Sequence, residues 1–260
     1  MTTGTPWKNI LIFSIPIFIG ILLQQLYNTV DTIVVGNFTS EEALAAVGTT
    51  ASMITLFLAT AVGFSTGAGV IIAQYFGADK KEELRTTSSV AITFLMILRI
   101  ISTIVGILFS RIILSEFLGV PNEFLDIAVT YFNIYCLGMI FQFGYNVIAA
   151  IHRSVGDSKA SMYFLLIAAI VNVILDLFFV AVLDLGAAGA AIATDISQVF
   201  SCVASFYYLN KKYPLFKFGF KDIKLNTNDV KLILKMGFPI VLQQMLVGLG
   251  IMAIQRAVNS

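Results

Sequence analysis

Seven unbroken apolar runs constrain this chain more than any other feature. They fall at roughly 10–35, 48–74, 88–109, 127–150, 162–182, 187–209 and 232–260. A hydrocarbon layer about 30 Å thick takes about 20 residues of helix to cross, and each run is long enough. Backbone polar groups in lipid must pair internally, and continuous runs without alternation do that as helices, which excludes a barrel. The turns between them carry ordinary punctuation, such as "NFTSEE", "GADKKEE", "GVPNE", "VGDSK" and "LDLG", with a longer polar piece at 210–231. Composition agrees: only 12% of the 260 residues are charged and mean hydropathy is +0.91, against about 25% charged in soluble domains. The expected fold is an all-α polytopic membrane protein whose surroundings are the lipid bilayer. A net charge of +1 gives no case for a nucleic-acid partner. The first run is too long for a signal-peptide core and lacks a small-x-small exit, so it reads as a span.

Lysine and arginine orient the spans. If the N-terminus is cytoplasmic, thirteen of the sixteen basic residues fall on that side: Lys8, then Lys80, Lys81 and Arg85, then Arg153 and Lys159, then seven lysines between 210 and 235. The opposite side receives Arg111 alone, while Arg99 and Arg256 fall inside spans. This bias places the N-terminus and the long connection in the cytoplasm of a multi-pass cell-membrane protein.

Six spans between two cytoplasmic ends make a complete bundle, and the seventh starts something new. Superposing Pro16 on Pro239 aligns "SIPI" with "GFPI", with a small residue, Ser14 or Gly237, two places before each proline. Two six-helix halves entered from the same side are parallel repeats, a transporter architecture. The division expected is an N-terminal six-helix lobe at 1–209, a basic cytoplasmic linker at 210–231, and the first helix of a second bundle at 232–260. The remainder of that lobe is then a missing partner. A seven-span receptor-like bundle is the alternative.

Twelve of the fifteen acidic residues lie in loops or at span ends; the exceptions are Asp31, Asp176 and Asp195. A charge at mid-bilayer costs at least about 2.5–3.5 kcal/mol, so such groups face partners or water. Counting along the helices puts Asp31, Asp176 and the Thr194–Asp195 pair about 8–12 Å below the outer edge. Asn172 lies four residues before Asp176, on the same face one turn deeper. Two carboxylates with amide and hydroxyl oxygens form a hard-oxygen environment suited to a proton or Na⁺. Acids sharing a dry pocket repel one another, and a bound cation or proton relieves that. The competing reading is that Asp31 and Asp176 only hydrogen-bond between helices. Asp195, about 100° around the helix from Thr194, either lines the bundle or faces a neighbouring helix.

Other residues carry weaker signals. Pro16 sits a third of the way along its span with Gly20 one turn later, so the pair suits a hinge. Tyr27, Asn28, Gln142, Asn146 and Asp195 are candidates for a substrate cavity. "GAAGAA" at 186–191 is a small-residue face for close helix packing. Cys136 and Cys202 lie within apolar runs as small packing residues. His152 closes an apolar run and is expected in a loop; a lone histidine makes no zinc site. Tyr207, Tyr208 and Tyr213 read as interface anchors. Arg99, in mid-span, has no acid beside it in sequence.

Several stretches then resemble signatures of the MATE (multidrug and toxic compound extrusion) family: "IPIFIGILLQQLYNTVDTIVVG", "LAAVG", "GFSTGAGVIIAQYFGA", "RSVGDSK", "NVILDLFF" and "GAAGAAIATDISQ". They occur in family order through the whole chain. The resemblance implies two six-helix lobes, a cation site formed by Asp31, Asn172, Asp176 and Thr194, and a bend of the first helix at Pro16. Asp195 stands where an apolar residue is expected in many relatives. The function implied is antiport by alternating access, in which an amphipathic organic cation or drug leaves while H⁺ or Na⁺ enters, with no cofactor beyond that ion and no enzymatic step. One rival is a lipid-linked precursor flippase of the same superfamily, which calls for basic residues inside the spans. An intramembrane aspartyl protease would also use two membrane aspartates, but the "GxGD" pattern is missing.

Overall fold

The computed structural model describes residues 5–216, 218 and 225–259, apart from the side chains of Pro6, Met252 and 255–259. Of the basic linker, Lys217, Lys221 and Lys224 lie outside the described residues, as does the Arg256 side chain. Seven long helices follow one another: α1 (Pro6–Phe38), α2 (Glu41–Gly77), α3 (Lys81–Ile112), α4 (Asn122–Ser154), α5 (Ser158–Asp176), α6 (Gly186–Lys212) and α7 (Thr227–Asn259). All seven are long and apolar enough to cross a membrane.

The helices outrun the apolar runs because polar first turns start them earlier. Ser40 caps α2 by accepting from the Ala43 amide at 3.3 Å, and Glu41 and Glu42 follow where the helix dipole favours acids. Asp157 caps α5 in the same way, accepting from the Ala160 amide at 3.4 Å. Serines and threonines inside the spans turn back on their own helix: Thr50, Ser88 and Ser197 each donate to the carbonyl four residues earlier. Two helices change winding before they end. After α3 the chain continues as a π turn over Ile113–Phe117, and after α5 as another over Leu177–Val182. The second begins at the residue after Asp176, a place where such wide turns often mark functional positions.

The surface is inverted relative to a soluble protein. Leu108, Val182 and Leu246 are about 70% exposed, whereas Arg99, His152 and Asp176 are fully buried. Lipid solvates the outside, so polar side chains gather inward. Two apolar clusters close the ends. One joins Val34, Val47, Leu114, Leu118 and Phe132 near the α1–α2, α3–α4 and α5–α6 turns. The other joins Phe64, Ile72, Leu84, Ile151 and Leu209 near the opposite turns. Arg99, Gln142, Asn172, Thr194 and Gln198 are buried in the layer between. Helix α4 is central, packing on α2, α3 and α6, while α5 lies between α1 and α6.

α7 packs mainly on α2, and glycine makes that crossing possible. A Cβ at Gly67 would lie 2.5 Å from the Gly237 amide nitrogen, and one at Gly237 would lie 2.9 Å from the Phe64 Cα. The two backbones come close at these glycines, as in small-xxx-small helix pairs.

Two expectations need correction. His152 is not a loop residue: α4 runs to Ser154, and the imidazole is fully buried beside the rings of Phe164, Tyr208 and Tyr213. Tyr208 and Tyr213 are not free interface anchors either. Both hydroxyls donate to Asp157, at 3.2 and 3.1 Å, and only Tyr207 stands exposed. Local sequence hid this, because the acid that gathers them is about fifty residues away. Cys136 and Cys202 are free thiols, each against a glycine (Gly106 and Gly144) of a neighbouring helix. In "GAAGAA", Ala187, Gly189, Ala190 and Ala191 are buried, with Gly189 against the Phe179 carbonyl.

Candidate functional site

α1, α5 and α6 bring the acids and their companions to one region. Asn172 donates from Nδ2 to Thr194 Oγ1 at 3.3 Å, which ties α5 to α6. Asp176 is one turn further along α5, within electrostatic range of Asp31, and both acids lie within range of the Tyr27 hydroxyl. All four residues are buried. Their oxygens are left without donors: Asp31 Oδ1, Asn172 Oδ1 and both Asp176 oxygens find no hydrogen-bond partner among the described residues. Buried acceptors in such number are costly unless something positive meets them.

Asp31 opens on a cavity of about 180 Å³ that also meets Tyr27, Asn28, Tyr131, Tyr135, Gln142 and Thr194. Among the described residues no basic side chain lines it. A second cavity, about 100 Å³, lies toward the other end of the bundle and is lined by Pro16, Gly20, Gln24, Gln142, Tyr145, Asn146, Arg153 and Gln198 among others. The cavities share Gln24 and Gln142. Pro16 is inside an uninterrupted α1 and buried, as is Gly20, where a Cβ would only graze Leu165 at 3.7 Å.

Of the cavity candidates, Tyr27, Asn28 and Gln142 line the first space and Asn146 the second. Asp195 lines neither, which corrects its expected place. It points about 100° around α6 from Thr194, toward α4, where its carboxylate occupies the space a side chain at Gly138 would fill. Tyr131, Tyr135 and Arg153 were missed. Their signal was present, since 131, 135, 142, 146 and 153 follow helical spacing along one stripe of α4.

Against known proteins, the MatE family model matches residues 16–178. The chain belongs to the MatE family. "Probable multidrug resistance protein YpnP" of Bacillus subtilis (strain 168) is 31% identical over 259 residues, covering 100% of this chain and 58% of that protein. "Multidrug export protein MepA" of Staphylococcus aureus (strain MRSA252) is 27% identical, covering 93% and 53%. A solved MOP superfamily transporter from Pyrococcus furiosus superposes with a TM-score of 0.86 at 30% identity, over 93% of this chain and 53% of that one. An outward-facing multidrug resistance MATE family transporter gives 0.85, also at 30% identity. The MatE chain thus spans a little over half the length of these relatives. Its all-helical, seven-span fold is the fold of that family over the matched part.

Proposed function

We propose that this MatE chain is the ion-coupling lobe of a multidrug exporter that moves amphipathic organic cations or drugs out of the cell in exchange for H⁺ or Na⁺. One observation carries the reading: the donor-less oxygens of Asp31, Asn172 and Asp176, buried together beside the Thr194 hydroxyl. Oxygen donors alone, two of them carboxylates, suit a hard monovalent cation or a proton. The ion neutralises the acids and draws α1 toward α5 and α6. Exchange follows if drug and ion favour opposite conformations, because a ligand bound equally by both shifts nothing. Pro16 and Gly20 then act as the flexible segment of α1, and α7 is the first helix of a second lobe that faces 1–209. The basic residues at the Lys80, Arg153 and Lys212 end support a cytoplasmic N-terminus. No bond is made or broken, so the protein is not an enzyme.

The test is efflux of an ethidium-type dye from vesicles carrying the full-length protein. Asp31→Asn and Asp176→Asn are each expected to abolish the dependence of efflux on the H⁺ or Na⁺ gradient. Undiminished ion-dependent efflux in both variants would remove the site from the mechanism.

One observation favours a second reading. Arg153 lines a cavity with amides and no acid, a setting for an anionic head group and hence for a flippase-like cargo. Transport of an anionic amphiphile that is lost in Arg153→Gln, with dye efflux absent from the wild type, would select it.

A further inference from the structure

Arg99 and Asp195 are intramembrane ionisable groups that the ion site does not use. The Arg99 guanidinium is fully buried on α3 and donates from Nη2 to the Cys136 carbonyl at 3.0 Å. Thr103, one turn along α3, donates to the same carbonyl at 3.1 Å. The guanidinium also lies over the Phe143 ring at 4.9 Å, with Phe57 at 6.0 Å, while Nε and Nη1 have no partner among the described residues. Two residues further along α4, Gly138 meets Asp195 from α6. A Cβ there would overlap the carboxylate, so glycine alone admits it. Each of the two charges feels the other.

Arginine on α3 and aspartate on α6 thus grip one short stretch of α4 backbone, residues 136–138. The cation takes the negative end of a carbonyl, and the carboxylate nests against a bare Cα within reach of the guanidinium's field. Cation–π contacts and a charge-assisted hydrogen bond fix the arginine end. The aspartate end fixes α6. Thr194 is the residue before Asp195, about 100° around the same helix, and meets Asn172 of the proposed ion site. Rotation or sliding of α6 that frees Asp195 from the Gly138 notch also moves Thr194.

We infer that Arg99 and Asp195 form an intramembrane clamp on α4, and that Asp195 is a positioning residue for the ion site, holding α6 at the rotation that sets the Thr194 hydroxyl against Asn172. The inference rests on the ion-coupled reading proposed above. It assigns Asp195 a role outside the cavity and gives the mid-span arginine a place on the same stretch of α4.

The experiment measures dye efflux by the full-length protein in vesicles as a function of ion concentration and, separately, of dye concentration. Asp195→Asn is expected to raise the ion concentration for half-maximal efflux about tenfold, the usual size of a lost orienting contact, and to leave the dye KM unchanged. A general loss of packing would move both. Gly138→Ala should reproduce the ion shift in the native background and add nothing in an Asp195→Ala background, since the clash disappears with the carboxylate. Should Asp195→Asn not reach the membrane, Gly138→Ala alone carries the test. Ion-dependent wild type with no shift in either variant overturns the inference and leaves the coupling reading intact. An ion-independent wild type overturns both.

Discussion

The Asn172 amide on α5 donates to the Thr194 hydroxyl on α6 at 3.3 Å, and this one hydrogen bond leaves the Asn172 carbonyl oxygen unpaired among buried carboxylates. The amide therefore bridges two helices with its nitrogen and presents its oxygen to the candidate ion.

Thr194→Val removes that bridge while keeping the shape of the side chain. The amide loses its acceptor, and a buried unsatisfied donor costs about 1–3 kcal/mol. Ion affinity is expected to fall about tenfold, less than the loss in Asp176→Asn, which removes a formal charge. Ion titrations of efflux in Thr194→Val, Thr194→Ser and Asp176→Asn check the order. Equal affinities in the valine and serine variants would show that the hydroxyl has no part in the site.

The α2–α7 crossing makes a sharper contrast within one helix. At Gly67 a methyl group meets the α7 backbone, and at Gly48 it meets nothing within 4 Å. Gly67→Ala is expected to lose about 1–3 kcal/mol through overpacking. Gly48→Ala should be neutral or slightly stabilising, because alanine restricts the unfolded chain. Thermal unfolding of both variants in detergent, beside the wild type, decides it. Equal destabilisation would mean that the close crossing is not kept in the membrane.

Much of the fold was legible because the bilayer simplifies the code. Length and hydropathy alone delimit a span, so seven helices could be counted from apolar runs. Asp31, Asp176 and Asp195 stood out for the same reason: an ionisable group in such a run has few places to go, and counting residues gives its depth. Asn172 followed from helix spacing, and the full set with Thr194 from the family resemblance. Contacts set by rotation were not legible. Asp195 and Thr194 are adjacent in sequence yet meet different neighbouring helices, α4 and α5, and the Gly138 notch that receives the acid lies on another helix. His152 was misread because its partners, Phe164, Tyr208 and Tyr213, come from later parts of the chain. The π turn after Asp176 left no mark in composition at all.

Asp157 provides a test by pH at the basic end of the bundle, outside the spans. Burial pushes its carboxyl group up, but hydrogen bonds from Lys212 at 2.7 Å and Tyr213 at 3.1 Å, with the Ala160 amide, outweigh it and hold the carboxyl below the usual range. A carboxylate depressed in the folded state binds its proton more weakly there than in the unfolded chain. Its contribution is therefore complete above the unfolded value of about 4, and is lost as pH falls through the lower folded value. The Lys212 side chain is 45% exposed, so solvent screens that ion pair and the buried hydroxyl and amide donors matter more. Asp157→Asn keeps the shape of the cap but loses the charge, and is expected to lower stability by about 1–2 kcal/mol at neutral pH. Below pH 4 the gap between variant and wild type should narrow, since protonation imposes on the wild type what the mutation already imposes on the variant. Thermal unfolding at pH 7 and at pH 3 measures both gaps. A difference that stays constant across that range would show that Asp157 acts at this corner by shape alone.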